Sequence, residues 1–305
     1  MKRISQLIAV LLLGCLIVCG APKEQTDTWR FPAAQRIVAI GDIHGDLDAA
    51  RRALRLAGAI GENDRWTGGT LVLVQTGDQI DRGDNDRAVL DLFDRLAREA
   101  AQAGGAVYSL NGNHELMNVA FDFRYVTTGG FEDFEGAVGS TERAAVPDTI
   151  PADRRARAAA FQPGGPYARL LAKRNTVITV GSTMFVHGGV LPEHIEYGLG
   201  RLNREIREWM AGSGSYSEWM LDKRSPVWSR HFSLDVDEAD CDTLRAVLAA
   251  LDVDRLVVGH TDRTEGIISY CDGLVWCIDA GMSAAYGGAP QVLEITPDTI
   301  RIIKE

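Results

Sequence analysis

Five short clusters of metal-ligand and proton-transfer residues punctuate the chain, each at the end of an apolar run. The first is Gly41-Asp42-Ile43-His44-Gly45-Asp46, the second Gly77-Asp78-Gln79-Ile80-Asp81-Arg82-Gly83, and the third Asn111-Gly112-Asn113-His114-Glu115. His187-Gly188-Gly189 and Gly259-His260-Thr261 follow. Carboxylate, imidazole and amide ligands suit borderline-to-hard divalent cations such as Mn, Fe or Zn. One carboxylate shared between two such ions can hold them about 3.5–4 Å apart. A water between the ions is deprotonated near neutral pH, and that metal-bridging hydroxide can attack phosphorus in line. No protein nucleophile is then needed, which fits the lack of any activated Ser or Cys motif. Arginine offers a planar fork for the equatorial phosphoryl oxygens, and a His held by a carboxylate can protonate the leaving alkoxide. Taken singly, each cluster also reads as a turn or a helix cap. Together, in one order and each after an apolar strand, they point to one site.

The elements that must position these residues follow from the pattern. Arg36 to Ile40, Thr70 to Gln75 and Ala106 to Leu110 read as buried strands that stop at or just before the clusters. Asp46 to Leu56 and Asp86 to Ala103 have the apolar spacing of amphipathic helices. Alternating strands and helices argue for an α/β core, whose ligand-bearing strand ends converge at one sheet edge. Phe121 to Lys173 loses strand character and is Ala- and Arg-rich between Ala152 and Ala160. It reads as a helical insertion, 121–173, over the site. Strands return at Thr176–Val180, Met184–His187, Arg255–Gly259, Gly266–Cys271, Leu274–Asp279 and Val292–Ile295, with hairpin signals that predict a mixed or antiparallel second sheet. Residues 21–35 read as a polar linker and 36–305 as one catalytic domain.

Composition narrows the class. With 46% hydrophobic and 24% charged residues, the chain is an ordinary globular protein and not a disordered one. A net charge of -10 gives no footprint for nucleic-acid binding. Lys2 and Arg3 precede an apolar run from Leu7 to Val18, then Gly20 and Ala21, the layout of a secretory signal over residues 1–20. The run is short for a spanning helix, which needs about 20 apolar residues. An exported protein is expected, periplasmic or membrane-anchored. An uncleaved N-terminal anchor and a lipidated Cys15 are the alternatives to cleavage. Outside that segment only Cys241, Cys271 and Cys277 remain. Three cysteines cannot all pair, so no disulfide scaffold is expected. Cys271 and Cys277 flank an Asp272-Gly273 turn that sets Cys277 opposite Ile268, and apolar packing is expected of both. His194 and His231 lie outside the clusters and are expected to be solvated or exposed. Trp209, Trp219 and Trp228 are expected to pack the helical region.

The order GD-x-HG, GD-x-x-DRG, GNHE, HGG, GH resembles that of the phosphoprotein phosphatase superfamily of calcineurin-like metallophosphoesterases. GDQIDRGD, LNGNHELMN, SPVWSR, VVGHT and IDAGMSAAYGG look most like the Shewanella-like phosphatases, and the likeness spans residues 36 to 295. It implies a two-sheet α-β-β-α sandwich with two divalent metal ions. Asp42 and His44 would hold the first ion, Asp78 would bridge, and Asn113, His187 and His260 would complete the second. His114 would be the general acid, oriented by Asp81. Arg82 and Arg230 would bind phosphate, the latter on the PVWSR segment alone, with Asn113 also facing the substrate. Tyr286 matches an aromatic near the substrate mouth, against the alternative of a packed core tyrosine. The implied activity is hydrolysis of phosphate monoesters on phosphoprotein, Tyr or Ser/Thr, or on small esters. The alternatives are a bis(nucleosyl)-tetraphosphatase-like nucleotide hydrolase and a non-catalytic metal-binding module. The presence of every ligand together with His114 argues against the last.

Overall fold

The structure is a computed structural model that describes residues 28–305. The export segment, 1–20, and the linker up to residue 27 lie outside the described residues. In chain order the first half has β1 (Arg30–Phe31), β2 (Ile37–Ile40), α1 (Leu47–Leu56), β3 (Val72–Gln75), α2 (Asp86–Gln102), β4 (Ala106–Ser109) and α3 (Asn113–Val119). Short helices α4 (Thr128–Glu132), α5 (Ser140–Ala144), α6 (Arg155–Phe161) and α7 (Pro166–Leu171) fill the stretch read as an insertion. Then come β5 (Val177–Val180), β6 (Thr183–Val186), α8 (Pro192–Tyr197), α9 (Leu199–Ala211) and α10 (Glu238–Leu251). The chain closes with β7 (Arg255–Val258), β8 (Ile268–Tyr270), β9 (Val275–Cys277), β10 (Gln291–Ile295) and β11 (Ile300–Lys304).

These strands form a five-stranded sheet, β11-β10-β2-β3-β4, and a six-stranded sheet, β1-β5-β6-β7-β9-β8. Side-chain alternation explains why the sheets face each other. Ile37 and Ala39 of β2, Val74 of β3 and Leu293 of β10 meet Ile178, Phe185 and Val257 of the other sheet. The intervening Val38, Ile40 and Leu73 point outward and are covered by Ala50 and Leu54 of α1 and Val89 and Phe93 of α2. Met184, Val186, Leu256 and Val258 point out of the second sheet onto Leu202 and Ile206 of α9 and Leu244 of α10. Both faces of each central strand are buried, so those strands read as continuous apolar runs. The layers are α-β-β-α, as the sequence implied. The insertion contributes Phe134 from the turn after α4, Ala160 and Phe161 of α6 and Leu171 of α7 to the same core as α9 and α10.

The register matters for the site. β2, β3 and β4 are parallel, with Ile40 beside Gln75 and Gln75 beside Ser109, so their carboxyl ends are level. β6 and β7 are parallel with Val186 beside Val258, which sets His187 level with Gly259.

Three expectations change. The linker ends earlier than residue 35, because Arg30 and Phe31 pair in parallel with Thr179 and Val180 of β5 and the Arg30 guanidinium donates to Leu251 O at 3.1 Å. A two-residue strand has no periodicity to read. The sheet also extends past Ile295 through β11, whose partner is β10. Finally, Cys271 packs against the core as expected but is also tied by a disulfide to Cys241 of α10, 30 residues away, while Cys277 stays a buried free thiol pushed up to about 12 by burial. Cys277 does lie opposite Ile268. The disulfide joins α10 to the β8–β9 turn, a contact between elements that no local pattern reports. Replacing Cys241 and Cys271 together by Ala is expected to lower stability by about 2–4 kcal/mol, from the added entropy of the unfolded chain. Urea unfolding without reductant checks this, and an unmoved midpoint would refute it.

Candidate active site

Level strand ends bring the clusters side by side, and their backbones bond to one another. Ile43 N and His44 N donate to Asp78 O at 2.9 and 3.0 Å, and Gly259 N donates to His187 O at 2.8 Å. Glu115 acts as a clamp: its carboxylate accepts from Asp78 N, Gln79 N and Gly112 N at 2.7–2.8 Å. Asp46, the last residue of the first cluster, is no ligand but the N-cap of α1, accepting from Ala49 N at 2.9 Å. His44, Asp78, Asp81, Arg82 and His260 all have positive φ, between 51° and 70°. Such backbone costs energy for non-glycine residues and persists where surrounding structure enforces it, most often at functional sites. Gly112 and Gly259 make room for the carboxylates, since a Cβ at either would overlap Asp78 Oδ1 or Asp42 Oδ1 respectively.

Backbone carbonyls orient three histidines. His44 Nδ1 donates to Ile80 O at 3.2 Å, His187 Nδ1 to Thr76 O at 3.0 Å, and His260 Nε2 to Trp228 O at 3.1 Å. A carbonyl only accepts, so the opposite ring nitrogen is the one left to meet a ligand. Two of these nitrogens face carboxylate and amide oxygens. His187 Nε2 lies 3.1 Å from Asp78 Oδ2 and 2.9 Å from Asn113 Oδ1, and His44 Nε2 lies 3.9 Å from Asp42 Oδ2 and 4.0 Å from Asp78 Oδ2. Asp78, His187 and His260 can offer ligand atoms within 4.8 Å of one another, and so can His44, Asp78 and His114. Burial, with Asp279 and Asp78 nearby, holds the Asp42 carboxyl well above its ordinary range. Burial and then His114 push His44 down to about 3, and burial and then His187 hold His260 well below its usual value. A buried set of carboxylate, amide and imidazole donors converging on one space fits divalent cations. Asp279, which sequence reading did not single out, is buried beside Asp42.

His114 is built differently. Its Nδ1 bonds Asp81 Oδ2 at 2.7 Å, and its Nε2 lies 3.7 Å from Asp78 Oδ2. Burial opposes a charge on this ring, but Asp78 and Asp81 outweigh it and hold the imidazolium above its ordinary range. Asp81 in turn accepts from Asn118 Nδ2 at 2.9 Å and Arg157 Nη2 at 2.7 Å. Arg157, fully buried in α6, also binds Asp86 Oδ2 at 2.6 Å, Gly130 O at 2.8 Å and Asn118 Oδ1 at 2.8 Å. Sequence reading missed Asn118 and Arg157. A long cationic side chain inside the alanine run of α6 was the one available signal.

Arg82, Arg230 and Tyr286 of the expected set are also here, joined by Tyr125, which sequence reading did not single out. The Arg82 guanidinium lies between the rings of Tyr125, 4.5 Å away, and Tyr286, 5.2 Å away. Its side chain makes no hydrogen bond to a described residue, and Nε is buried without a partner. Tyr286 is 5.4 Å from the His44 ring, so it stands beside the site and not in the core. Arg230 Nη1 donates to His260 O and Thr261 Oγ1 at 2.8 and 2.9 Å, which leaves its other nitrogens free of the described residues. Trp228 packs edge-on against His260 at 5.3 Å, while Trp209 is buried in the core. His194 is not solvated: it is buried, and its Nδ1 accepts from Leu191 N at 2.9 Å at the start of α8. His231 is partly exposed and pairs with Asp240 at 3.2 Å.

A family model for calcineurin-like phosphoesterases matches residues 35–263. The chain belongs to the calcineurin-like phosphoesterase family. Within that family this phosphatase groups with the Shewanella-like phosphatases. Shewanella-like protein phosphatase 2 of Arabidopsis thaliana is 41% identical over 307 residues, covering 90% of this chain and 78% of the relative. Shewanella-like protein phosphatase 1 of Plasmodium berghei is 30% identical, covering 88% and 74%. In fold, the phosphatase is similar to the cold-active protein-tyrosine phosphatase of a psychrophilic Shewanella species, with a TM-score of 0.72, 23% identity, and 91% and 84% coverage. It is a metal-dependent hydrolase of phosphoesters, and the non-catalytic alternative falls away.

Proposed function

We propose that this phosphatase dephosphorylates phosphoproteins, accepting phosphotyrosine at least as well as phosphoserine. The observation that carries the proposal is Arg82, buried at Nε, stacked on two tyrosine rings and unpaired with any carboxylate of the described residues, close enough for its charge to act on His44 and His114. The protein-phosphatase names of the relatives support the substrate class. Two divalent ions, Mn, Fe or Zn, fit the donor set: Asp42, His44 and Asp78 would hold one, and Asp78, Asn113, His187 and His260 the other. Bound there, such ions supply Lewis acidity and a water that ionises near neutral pH. Arg82 and Arg230 grip the phosphoryl oxygens through their free nitrogens, and Asn113 stands within the same oxygen-binding set. Tyr125 and Tyr286 wall the entrance. His114, held at Nδ1 by Asp81, presents Nε2 to the leaving oxygen and delivers its proton. Phenolate needs that proton less than alkoxide does, which favours phosphotyrosine. Residues 1–20 direct export, to the periplasm or a membrane anchor. Among the described residues no helix is long and apolar enough to cross a membrane.

The test is turnover by the chain lacking residues 1–20, loaded with Mn, Fe or Zn, on phosphopeptides, free phosphotyrosine, sugar phosphates and dinucleoside polyphosphates. Phosphopeptides are expected to exceed free phosphotyrosine in kcat/KM by more than about tenfold. Equal cleavage of free amino-acid and sugar phosphates would mark a phosphate scavenger, and preference for the dinucleotides a nucleotide hydrolase.

A further inference from the structure

A groove of about 700 Å³ opens beside the phosphate-binding arginines. Its inner end is formed by Arg230, Tyr125 and Trp228, the same side chains that border the site: the Tyr125 ring is 5.0 Å from that of His114 and Trp228 is 5.3 Å from His260. The groove is therefore continuous with the site. Its outer wall carries Tyr216, which is 45% exposed, together with the exposed Arg124 and Lys223. The volume lies in the range of sites that bury a small-molecule-sized group, and exceeds what a phosphate requires.

Charge says what fits. Three cations, Arg124, Lys223 and Arg230, line the groove against one carboxylate, Asp122. Asp122 is already bonded to Arg124, at 2.6 and 2.8 Å. Lys223 makes no ion pair with a described residue, and Arg230 keeps nitrogens free. The chain as a whole carries -10, so a cationic groove at the site mouth stands against its own background. Aromatic walls and uncompensated cations match an extended peptide whose side chains near the phosphorylated residue are acidic.

We propose that this groove binds the segment flanking the phosphorylated residue and selects peptides with Asp or Glu there, Lys223 supplying the main unpaired charge. The inference rests on the phosphoprotein reading above. The experiment compares kcat/KM for phosphotyrosine peptides of identical length with acidic, neutral or basic flanks, on either side, together with free phosphotyrosine. The wild-type chain and the Lys223→Glu and Lys223→Gln variants are run in parallel. Acidic flanks are expected to be favoured over basic ones by about fivefold or more, the effect of one well-placed exposed ion pair. Lys223→Gln should shrink that preference and Lys223→Glu invert it, each with a larger loss on the acidic peptide than on p-nitrophenyl phosphate. Raising NaCl from about 0.05 to about 0.5 M should also shrink it, by shortening the screening length. Lys223 is exposed, so neither variant threatens folding. If peptides outperform free phosphotyrosine whatever their flanks, or the preference survives in both variants, the groove assignment is wrong while the phosphoprotein reading stands. If no peptide outperforms free phosphotyrosine, both are wrong.

Discussion

His114→Ala is expected to lower kcat on alkyl phosphates by a factor of about 10²–10⁴, the usual contribution of a positioned general acid. The geometry sets up this result. Asp81 holds Nδ1 at 2.7 Å, and the free Nε2 lies on the side of the shared carboxylate Asp78. Burial opposes a proton on the ring, but Asp78 and Asp81 outweigh it and raise its hold on that proton above the ordinary. The loss should be smaller on p-nitrophenyl phosphate, whose leaving group departs with little protonation, and bound metal should be unchanged by elemental analysis. An equal loss on both substrates would assign His114 to ground-state binding instead. A loss of metal would make it a ligand, a role that its place in a group with His44 and Asp78 makes worth measuring.

Arg157→Met is expected to destabilise the fold by about 3–5 kcal/mol, because removing one partner leaves buried charge uncompensated. Arg157 spans two buried carboxylates, Asp81 and Asp86, and all three side chains are fully buried. Natural domains hold only about 5–15 kcal/mol in total, so a shift of this size moves the urea midpoint far. Protonation offers partial escape. Burial pushes Asp86 up to about 7, even with Arg157 against it. A carboxyl with a raised folded-state pKa loses stability as pH rises from its unfolded value through its folded one. Without Arg157 that folded value rises further. The variant's deficit should therefore be smaller near about pH 5 than near about pH 8. A deficit below about 1 kcal/mol at both would mean that water reaches the carboxylates, leaving no buried ion pair to break.

Arg157 also shows where sequence reading stops. Five clusters at strand ends were legible because a strand is a local pattern and a ligand must sit where the strand stops. Asp42, Asp78, Asn113, His187 and His260 each follow within four residues of the end of an apolar strand, so strand packing alone brings them together. The remaining features depend on which distant segments come to touch. Cys241 and Cys271 meet because α10 packs behind the β8–β9 turn. His194 is buried because α8 folds onto the core, although its neighbours Glu193 and Glu196 make the segment look solvated.

By itself, then, the sequence determined the alternation of strands and helices and the five clusters of ligand-type residues, which side-chain period and residue type at strand ends set over a few residues. The α-β-β-α layering, the sharing of ligands between two ions and the His114–Asp81 pair were what the family resemblance implied. Tertiary structure alone decided how that inventory is tuned. It fixed which ring nitrogen of each histidine is free, because Ile80, Thr76 and Trp228 carbonyls reach His44, His187 and His260 from other strands and loops. It placed Arg157 of the insertion behind Asp81, and it left Arg82 between two tyrosines with no anionic partner. Charge compensation in a buried site depends on distances in space, and those distances exist only once the two sheets and the insertion have packed.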